Sequence, residues 1–241
     1  MSSRKRIGVL TPSSNTALEP LTSAMVATVP GVSAHFARFT VTEISMQEAA
    51  LRQFDDSKIL EAARLLADAH VDVIGWSGTS SSWLGFERDA QLCARITEAT
   101  GIPATTSVMA LNELLAAAGV RKLGLVTPYR ADVQERVVAN FRSIGVDCSA
   151  ERHLGISVNF DFAEVEPDTL ARMAREVAAA GCDAITMLCT NLRSAQLAET
   201  LERELGLPVF DSTATVVWKA LKLVGADTGQ VQGWGRMFRD F

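Results

Sequence analysis

The sequence has little tyrosine, histidine or cysteine, with one, three and four residues respectively, and it has no long hydrophobic run. A membrane-spanning helix needs roughly 20 consecutive apolar residues, and the N-terminal residues also lack the apolar segment of a secretory signal. We therefore expect a cytoplasmic protein that has no membrane partner.

The cysteines and histidines do not form a metal-binding pattern. The sequence has no Cys-x-x-Cys pair, and no histidine lies at a zinc-ligand spacing from a cysteine. A disulfide framework is not expected in a chain of this size and composition. Walker and Rossmann glycine motifs are also absent, and no lysine stands in a context typical of cofactor anchoring. We expect no metal, nucleotide or pyridoxal phosphate as cofactor.

Charge argues against a nucleic-acid partner. The net charge is −5, and the only basic run is the triplet at residues 4–6, directly before the first predicted strand. Such a triplet is more simply a solvated strand start than a nucleic-acid patch. With 241 residues, nearly half of them apolar, the chain can form one large or two small α/β units with substantial cores.

Two segments share one layout and predict a repeat. In each, x-Asp-x-Ile begins an apolar run that ends in small polar residues, from Asp72 to Gly78 and from Asp183 to Cys189. An apolar run that breaks into polar residues is typical of a buried parallel strand with a polar loop at its carboxyl end. Open α/β sheets bind ligands at those ends.

Two further landmarks recur in the same order. Thr11-Pro12 follows the first strand as Thr127-Pro128 follows a later one, and Gly101-Ile102-Pro103 matches Gly206-Leu207-Pro208. Hydrophobic periodicity predicts helices over 58–70, 91–100, 109–118, 132–143, 169–180 and 214–224, which alternate with strands. The prediction is an α/β fold of two pseudo-symmetric halves with parallel sheets and the active site in the cleft between them. Residues 1–112 and 213–241 would form the first half and residues 113–212 the second.

Cys189 is the thiol that the repeat places in a strand-end loop. The simplest alternative is a small buried hydrophobic residue. An exposed thiol can be tuned toward a neutral pKa, which suits proton transfer at carbon. The matching loop, Gly78-Thr79-Ser80, offers hydroxyl and backbone N–H groups that can hold a carboxylate or an enediolate. Its alternative role is to cap the helix that follows.

Two other loops carry candidate side chains. Tyr129 lies at the position that matches Ser13 and can donate a hydrogen bond to a carboxylate, or else serve in packing. The segment from Ser13 to Thr16 is either an oxyanion-binding loop or a helix cap, and composition alone favours the cap.

Taken in order, the motifs resemble a known family. The resemblance is to the cofactor-independent Asp/Glu racemase superfamily, in the branch that holds arylmalonate decarboxylase and maleate cis-trans isomerase. The residues that carry it are spread over nearly the whole chain: Thr11–Thr16, Gly78–Ser80, Val126–Tyr129, Leu154–Ile156, Cys189–Asn191 and Gly233–Phe238.

The resemblance implies a decarboxylase of an (aryl)malonate-type dicarboxylate. Racemases and isomerases of the superfamily use two opposed cysteines, and here the first position is Gly78, the form found in arylmalonate decarboxylase. Thr79, Ser80 and Tyr129 would then hold the carboxylate that stays, while an apolar pocket favours loss of the other as CO2. Cys189 would protonate the enediolate on one face.

Other residues resemble the isomerase. Ser14 and Asn15 belong to the isomerase form of the first loop, and the resemblance implies that Asn15 binds a substrate carboxylate. Thr190 and Asn159 are further candidate carboxylate ligands. A maleate isomerase or racemase is therefore the second hypothesis, and a carboxylate-binding protein without catalysis is the third. The expected partner is a small dicarboxylate, with homo-oligomerisation possible.

Overall fold

A computed structural model describes residues 4–54 and 56–241, which form two four-stranded parallel sheets. The first sheet has the order β2-β1-β3-β4 and the second has the matching order β6-β5-β7-β8. The two sheets confirm the predicted α/β fold of two similar halves. The strands are β1 (Lys5–Pro12), β2 (Val32–Phe39), β3 (Val73–Trp76), β4 (Ala104–Thr106), β5 (Leu123–Thr127), β6 (Glu151–His153), β7 (Ala184–Met187) and β8 (Val209–Asp211).

Helices connect the strands, as parallel pairing requires. They are α1 (Leu18–Val26), α2 (Glu48–Leu51), α3 (Asp56–Asp68), α4 (Ser81–Leu84), α5 (Glu87–Thr100), α6 (Ser107–Ala117), α7 (Ala131–Ser143), α8 (Pro167–Ala179), α9 (Ala198–Leu205), α10 (Ser212–Leu223) and α11 (Met237–Asp240). Within the described ranges, none of these helices is long and apolar enough to cross a membrane.

The repeated sequence landmarks have repeated structural roles. Asp72 accepts a hydrogen bond from the backbone N–H of Arg6 at 2.6 Å, and Asp183 accepts one from Lys122 at 2.8 Å. Each aspartate therefore joins the start of a central strand to the start of its neighbour. At the other ends of the strands, the N–H groups of Ser77 and Leu188 bond to β1 and β5 in the same manner.

Helix α10 packs against the first half of the molecule. Val216 on this helix lies so close to β3 that a Cβ added at Gly75 would be 2.8 Å from it. Thr215 also donates to the carbonyl of Ser107 at the start of α6, at 2.9 Å. These contacts agree with the expectation that the helix after β8 crosses back, while the domain boundaries at 112/113 and 212/213 stay a prediction.

Candidate active site

A small cavity lies between the two halves at the carboxyl ends of the central strands. Its volume is about 20 Å³, room for about one water molecule. An organic ligand of several non-hydrogen atoms is much larger, so the walls would have to move apart to admit one. The lining residues come from both halves: Pro12, Val41, Ile44, Phe54, Trp76, Gly78, Thr79, Ser80, Trp83, Tyr129, Asn159, Phe162, Cys189 and Thr190.

Thr79 and Tyr129 join the two halves by a hydrogen bond of 2.6 Å between their hydroxyl groups. Tyr129 is almost fully buried, and burial raises the pKa of its phenol well above the usual value. The tyrosine therefore stays a neutral donor across the ordinary pH range. Ser80 lies at the N-terminus of α4, but its side chain makes no capping bond there. The hydroxyl groups of Thr79 and Ser80 therefore do not cap α4, which was the alternative role of this loop.

Cys189 is buried in the cavity wall, with 4% of its surface exposed. The thiol is therefore buried, as in the simplest alternative, and it lacks the exposure by which a thiol can be tuned toward a neutral pKa. Burial raises the pKa of Cys189 to about 12, and the nearby charge of Asp211 acts in the same direction. The N–H of Asn191 and the hydroxyl of Tyr129 oppose this shift because they donate to the thiolate. At neutral pH the side chain carries its proton and can serve as a proton donor.

Trp76 explains why position 78 is glycine. A Cβ added at Gly78 would lie 2.0 Å from Cζ2 and 2.3 Å from Cε2 of the Trp76 indole, whereas carbon atoms in contact are about 3.5–4.0 Å apart. The indole is itself buried and packs on Phe39, with ring centroids 5.0 Å apart. The space that a cysteine side chain would need at this position is therefore filled.

Aromatic side chains form much of the remaining wall of the cavity. Phe54, Trp83, Tyr129 and Phe162 form a continuous series of aromatic contacts, with ring centroids 5.1–6.0 Å apart. All four side chains are buried. The polar groups of Thr79 and Ser80 thus face an environment in which a charged group would lose most of its hydration.

Ser14 and Asn15 lie in the seam between the halves and do not line the cavity. The Asn15 side chain accepts from the backbone N–H groups of Ala17 and Leu18 at 3.0 and 2.9 Å, so it caps the start of α1. Its amide also donates to the Thr190 hydroxyl at 3.4 Å. This arrangement agrees with the cap that composition favours.

Asn159 and Thr190 reach the cavity while they also hold the seam together. Asn159 donates to the Ser14 hydroxyl at 2.8 Å, and Thr190 donates to the carbonyl of Ser77 at 3.1 Å. Asn191 adds a third contact, because its amide donates to the carbonyl of Asn159 at 2.5 Å. Much of the hydrogen-bonding capacity of these residues is therefore used between the two halves.

A segment that we call the strap, residues 41–54, closes one side of the cavity. Its Ile44 N–H donates to the carbonyl of Ser157 in the other half at 2.8 Å. Gln53 holds the strap in shape, since its carbonyl accepts from the Thr42 N–H at 2.6 Å and its amide donates to the Glu43 carbonyl at 3.2 Å. Sequence reasoning assigned no role to the strap, because its contacts are long-range and leave no local pattern.

Comparison with known proteins places this geometry in a family. A family model described as arylmalonate decarboxylase matches residues 7–238. The chain belongs to the arylmalonate decarboxylase family. The resemblance inferred from the motifs is thereby confirmed.

Members similar to this chain include two kinds of enzyme. The chain is 33% identical to arylmalonate decarboxylase of Bordetella bronchiseptica over 183 residues, 75% of this chain and 76% of the relative. A maleate cis-trans isomerase mutant of Nocardia farcinica with a covalently bound succinylcysteine intermediate has a TM-score of 0.90 at 26% identity, covering 98% and 99% of the two chains. A liganded glycine-to-cysteine and cysteine-to-serine double mutant of arylmalonate decarboxylase has a TM-score of 0.83 at 27% identity, covering 98% and 100%.

Proposed function

We propose that this member of the arylmalonate decarboxylase family is a cofactor-independent decarboxylase of a malonate-type dicarboxylate. The observation that carries the proposal is the single thiol of the cavity, Cys189, together with Gly78, beside which the Trp76 ring leaves no space for a second cysteine. One thiol can protonate one face of a carbanion. A racemase or isomerase that works through two opposed cysteines lacks its second group here.

The carboxylate that stays would bind at the polar side of the cavity. Thr79, Ser80 and Tyr129 offer hydroxyl donors there, and the neutral phenol of Tyr129 remains a donor at all working pH values. Negative charge moves onto this carboxylate as the reaction proceeds. Donors that are already in place stabilise such developing charge without reorganisation.

The carboxylate that leaves would lie against the apolar wall. Ile44, Phe54 and Phe162 present side chains there that cannot replace its water. Cleavage of the bond between this carboxylate and the α-carbon releases CO2 and leaves the electron pair as an enediolate. The loss of hydration raises the energy of the charged ground state relative to the transition state, in which that charge has moved away.

Cys189 would complete the reaction. Its S–H donates a proton to the α-carbon of the enediolate, and the resulting thiolate takes a proton back from solvent. The high pKa of this thiol keeps it protonated between turnovers. Since the proton arrives from one side, the product of a prochiral malonate should be a single enantiomer.

Isomerisation of maleate is the second candidate function. It is favoured by the TM-score, which is 0.90 for the isomerase mutant and 0.83 for the decarboxylase mutant. Against it, Asn15 serves as a helix cap and does not line the cavity. Gly78 also supplies no nucleophile for a double bond.

Proton NMR in D2O separates these functions. The protein is incubated with phenylmalonate, methylphenylmalonate and maleate, in wild type, in Cys189→Ala and in the matched control Cys182→Ala, which removes a half-buried thiol away from the cavity. We expect loss of the malonates, one deuteron at the α-carbon and a single enantiomer from methylphenylmalonate. The Cys189 variant should lose activity and the Cys182 variant should keep it.

Three other results would reject the proposal. Full activity in Cys189→Ala would remove the assigned proton donor. Conversion of maleate to fumarate would select the isomerase. Carboxylate binding by calorimetry with no turnover of any substrate would select a binding protein.

A further inference from the structure

Asp211 is a buried carboxylate directly behind the loop that carries Cys189. In the register of β7 and β8 it pairs with Met187, two positions before Cys189. It is 1% exposed and lies outside the cavity lining. The proposed reaction gives it no part.

The residues that follow Asp211 hold the thiol loop on both sides of Cys189. The Ser212 hydroxyl donates to the carbonyl of Met187 at 2.8 Å, and the Thr213 hydroxyl donates to the carbonyl of Thr190 at 3.4 Å. Asp211 fixes this turn, because one of its oxygens accepts from the N–H groups of Thr213 and Ala214 at 2.8 and 3.1 Å. The carboxylate and the thiol are therefore parts of one rigid unit.

The other oxygen of Asp211 accepts a hydrogen bond from Ser194 at 2.5 Å, across 17 positions of sequence. The first half has the same contact with the partners exchanged: Thr106 donates to Asp89, again across 17 positions. Thr106 occupies the end of β4 as Asp211 occupies the end of β8. The carboxylate thus lies at the strand end, next to the thiol loop, only in the half that carries Cys189.

Among the described residues, Asp211 has no cationic side chain as a counter-ion. Burial raises the pKa of Asp211 from 3.8 to about 6, while the Ser194 hydroxyl and the N–H groups of Thr213 and Ala214 oppose that rise. Above that pH the side chain is a carboxylate. Cys189 faces the Tyr129 phenol from the loop after β5 and Asp211 from the end of β8. No lysine, arginine or histidine of the described part of the chain lines the cavity. A negative charge on Asp211 therefore acts on the thiol without local compensation.

We propose that Asp211 is a positioning residue for proton transfer, which fixes the Cys189 loop and places a carboxylate behind the thiol. The inference rests on the proposed function, in which Cys189 must hold the proton that it delivers. A neighbouring anion disfavours the thiolate, so it suits a one-way donor. It would oppose a thiolate that acts as nucleophile or base, which isomerisation and racemisation require.

The variant Asp211→Asn separates charge from structure. Its amide oxygen can still accept from Thr213 and Ala214, and the Ser194 hydroxyl can accept from the amide instead of donating. Asp89→Asn is the matched control, because it makes the same change in the mirrored contact of the other half. The rate at which iodoacetamide alkylates Cys189 is measured by mass spectrometry at a series of pH values. All variants also carry Cys182→Ala, so that the peptide of residues 176–193 contains one thiol.

We expect the alkylation profile of Asp211→Asn to shift to lower pH, so that at a fixed pH below the midpoint Cys189 is alkylated faster than in the parent. Asp89→Asn should keep the parent profile. With a malonate substrate, the alkaline limb of kcat should move in the same direction, with KM little changed.

Two outcomes would overturn the inference. One is an unchanged alkylation profile in Asp211→Asn with its thermal midpoint intact. The other is an equal shift in both variants, which would indicate general loosening of the fold. Alkylation requires no turnover, so failure of the decarboxylase proposal would leave this measurement unaffected, and the two ideas fail separately.

Discussion

Replacement of Gly78 by alanine tests whether Trp76 fixes the identity of this position. The added Cβ would lie 2.0 Å from the indole, about 1.5 Å closer than carbon atoms in contact allow. Overpacking of a core typically costs 1–3 kcal/mol, and the depth of this overlap puts the expected loss of unfolding free energy at about 3 kcal/mol. For a chain of this length, such a loss lowers the thermal midpoint by roughly 6–12 °C.

A second substitution makes the cause specific. Trp76→Leu removes the indole and by itself costs on the order of 2–4 kcal/mol, because it leaves unfilled space. In that background Gly78→Ala should cost almost nothing, since the added methyl group enters the vacated volume. The two substitutions should therefore show a coupling energy of about 2–3 kcal/mol, the upper part of the range for residues in contact.

The assay is urea unfolding followed by far-UV circular dichroism for the wild type, both single variants and the double variant. Gly229→Ala is the matched control, because the nearest atom to its added Cβ is a carboxylate oxygen of Asp227 at 3.2 Å, with no ring in the way. We expect this control to change the unfolding free energy by less than about 0.5 kcal/mol. Equal costs of Gly78→Ala with and without Trp76 would refute the reasoning, as would no cost at all.

Three further predictions test the donor, the strap and a buried acid. Tyr129→Phe should lower kcat about 100-fold in steady-state assays, the usual cost of one lost oxyanion donor, and a loss below threefold would contradict the assigned role. Gln53→Ala should speed hydrogen exchange at the Ile44 amide several-fold, because hydrogen bonds worth about 1 kcal/mol each are lost from the strap, whereas the surface variant Gln196→Ala should not. Burial raises the pKa of Asp89 from 3.8 to about 6, so the folded protein holds a proton in that window that the unfolded chain releases. The unfolding free energy should therefore fall as pH rises from about 4 to about 6. Urea titrations at several pH values should show that the unfolding free energy of Asp89→Asn depends less steeply on pH than that of the wild type. An unchanged dependence on pH would reject this assignment.

The repeat made most of the fold predictable from sequence. The paired strand motifs around Asp72 and Asp183 correspond to β3 and β7, and the glycines before Pro103 and Pro208 end α5 and α9 with positive φ angles of 71° and 73°. The helix α9 itself was not predicted, although its buried positions Ala198 and Leu201 have helical spacing. It follows a polar loop and spans eight residues, so its pattern is short.

The interior of the site was less predictable, for physical reasons. Cys189 lies in a loop, and loops are usually exposed, but this loop is covered by the opposite half. The direction of the Trp76 ring depends on side-chain torsions that no spacing rule fixes. The strap closes the cavity through backbone pairing between Glu43 and Val158, a contact across more than a hundred positions. The burial of Cys189 and the strap arise from contacts between the halves, whereas the repeat describes only what lies within one half.

The proposed chemistry depends on residues at which the two halves differ. The Thr-Pro loops end in Ser13 in one half and in Tyr129 in the other, and only the second side chain lines the cavity. The strand-end loops offer Gly78 against Cys189, and the mirrored carboxylate lies beside the thiol in the second half alone. A symmetric site would treat both faces of a planar carbanion alike. Because the proposed proton source and its neighbouring carboxylate belong to one half, the duplicated fold presents two unlike faces to one substrate, as the proposed stereospecific protonation requires.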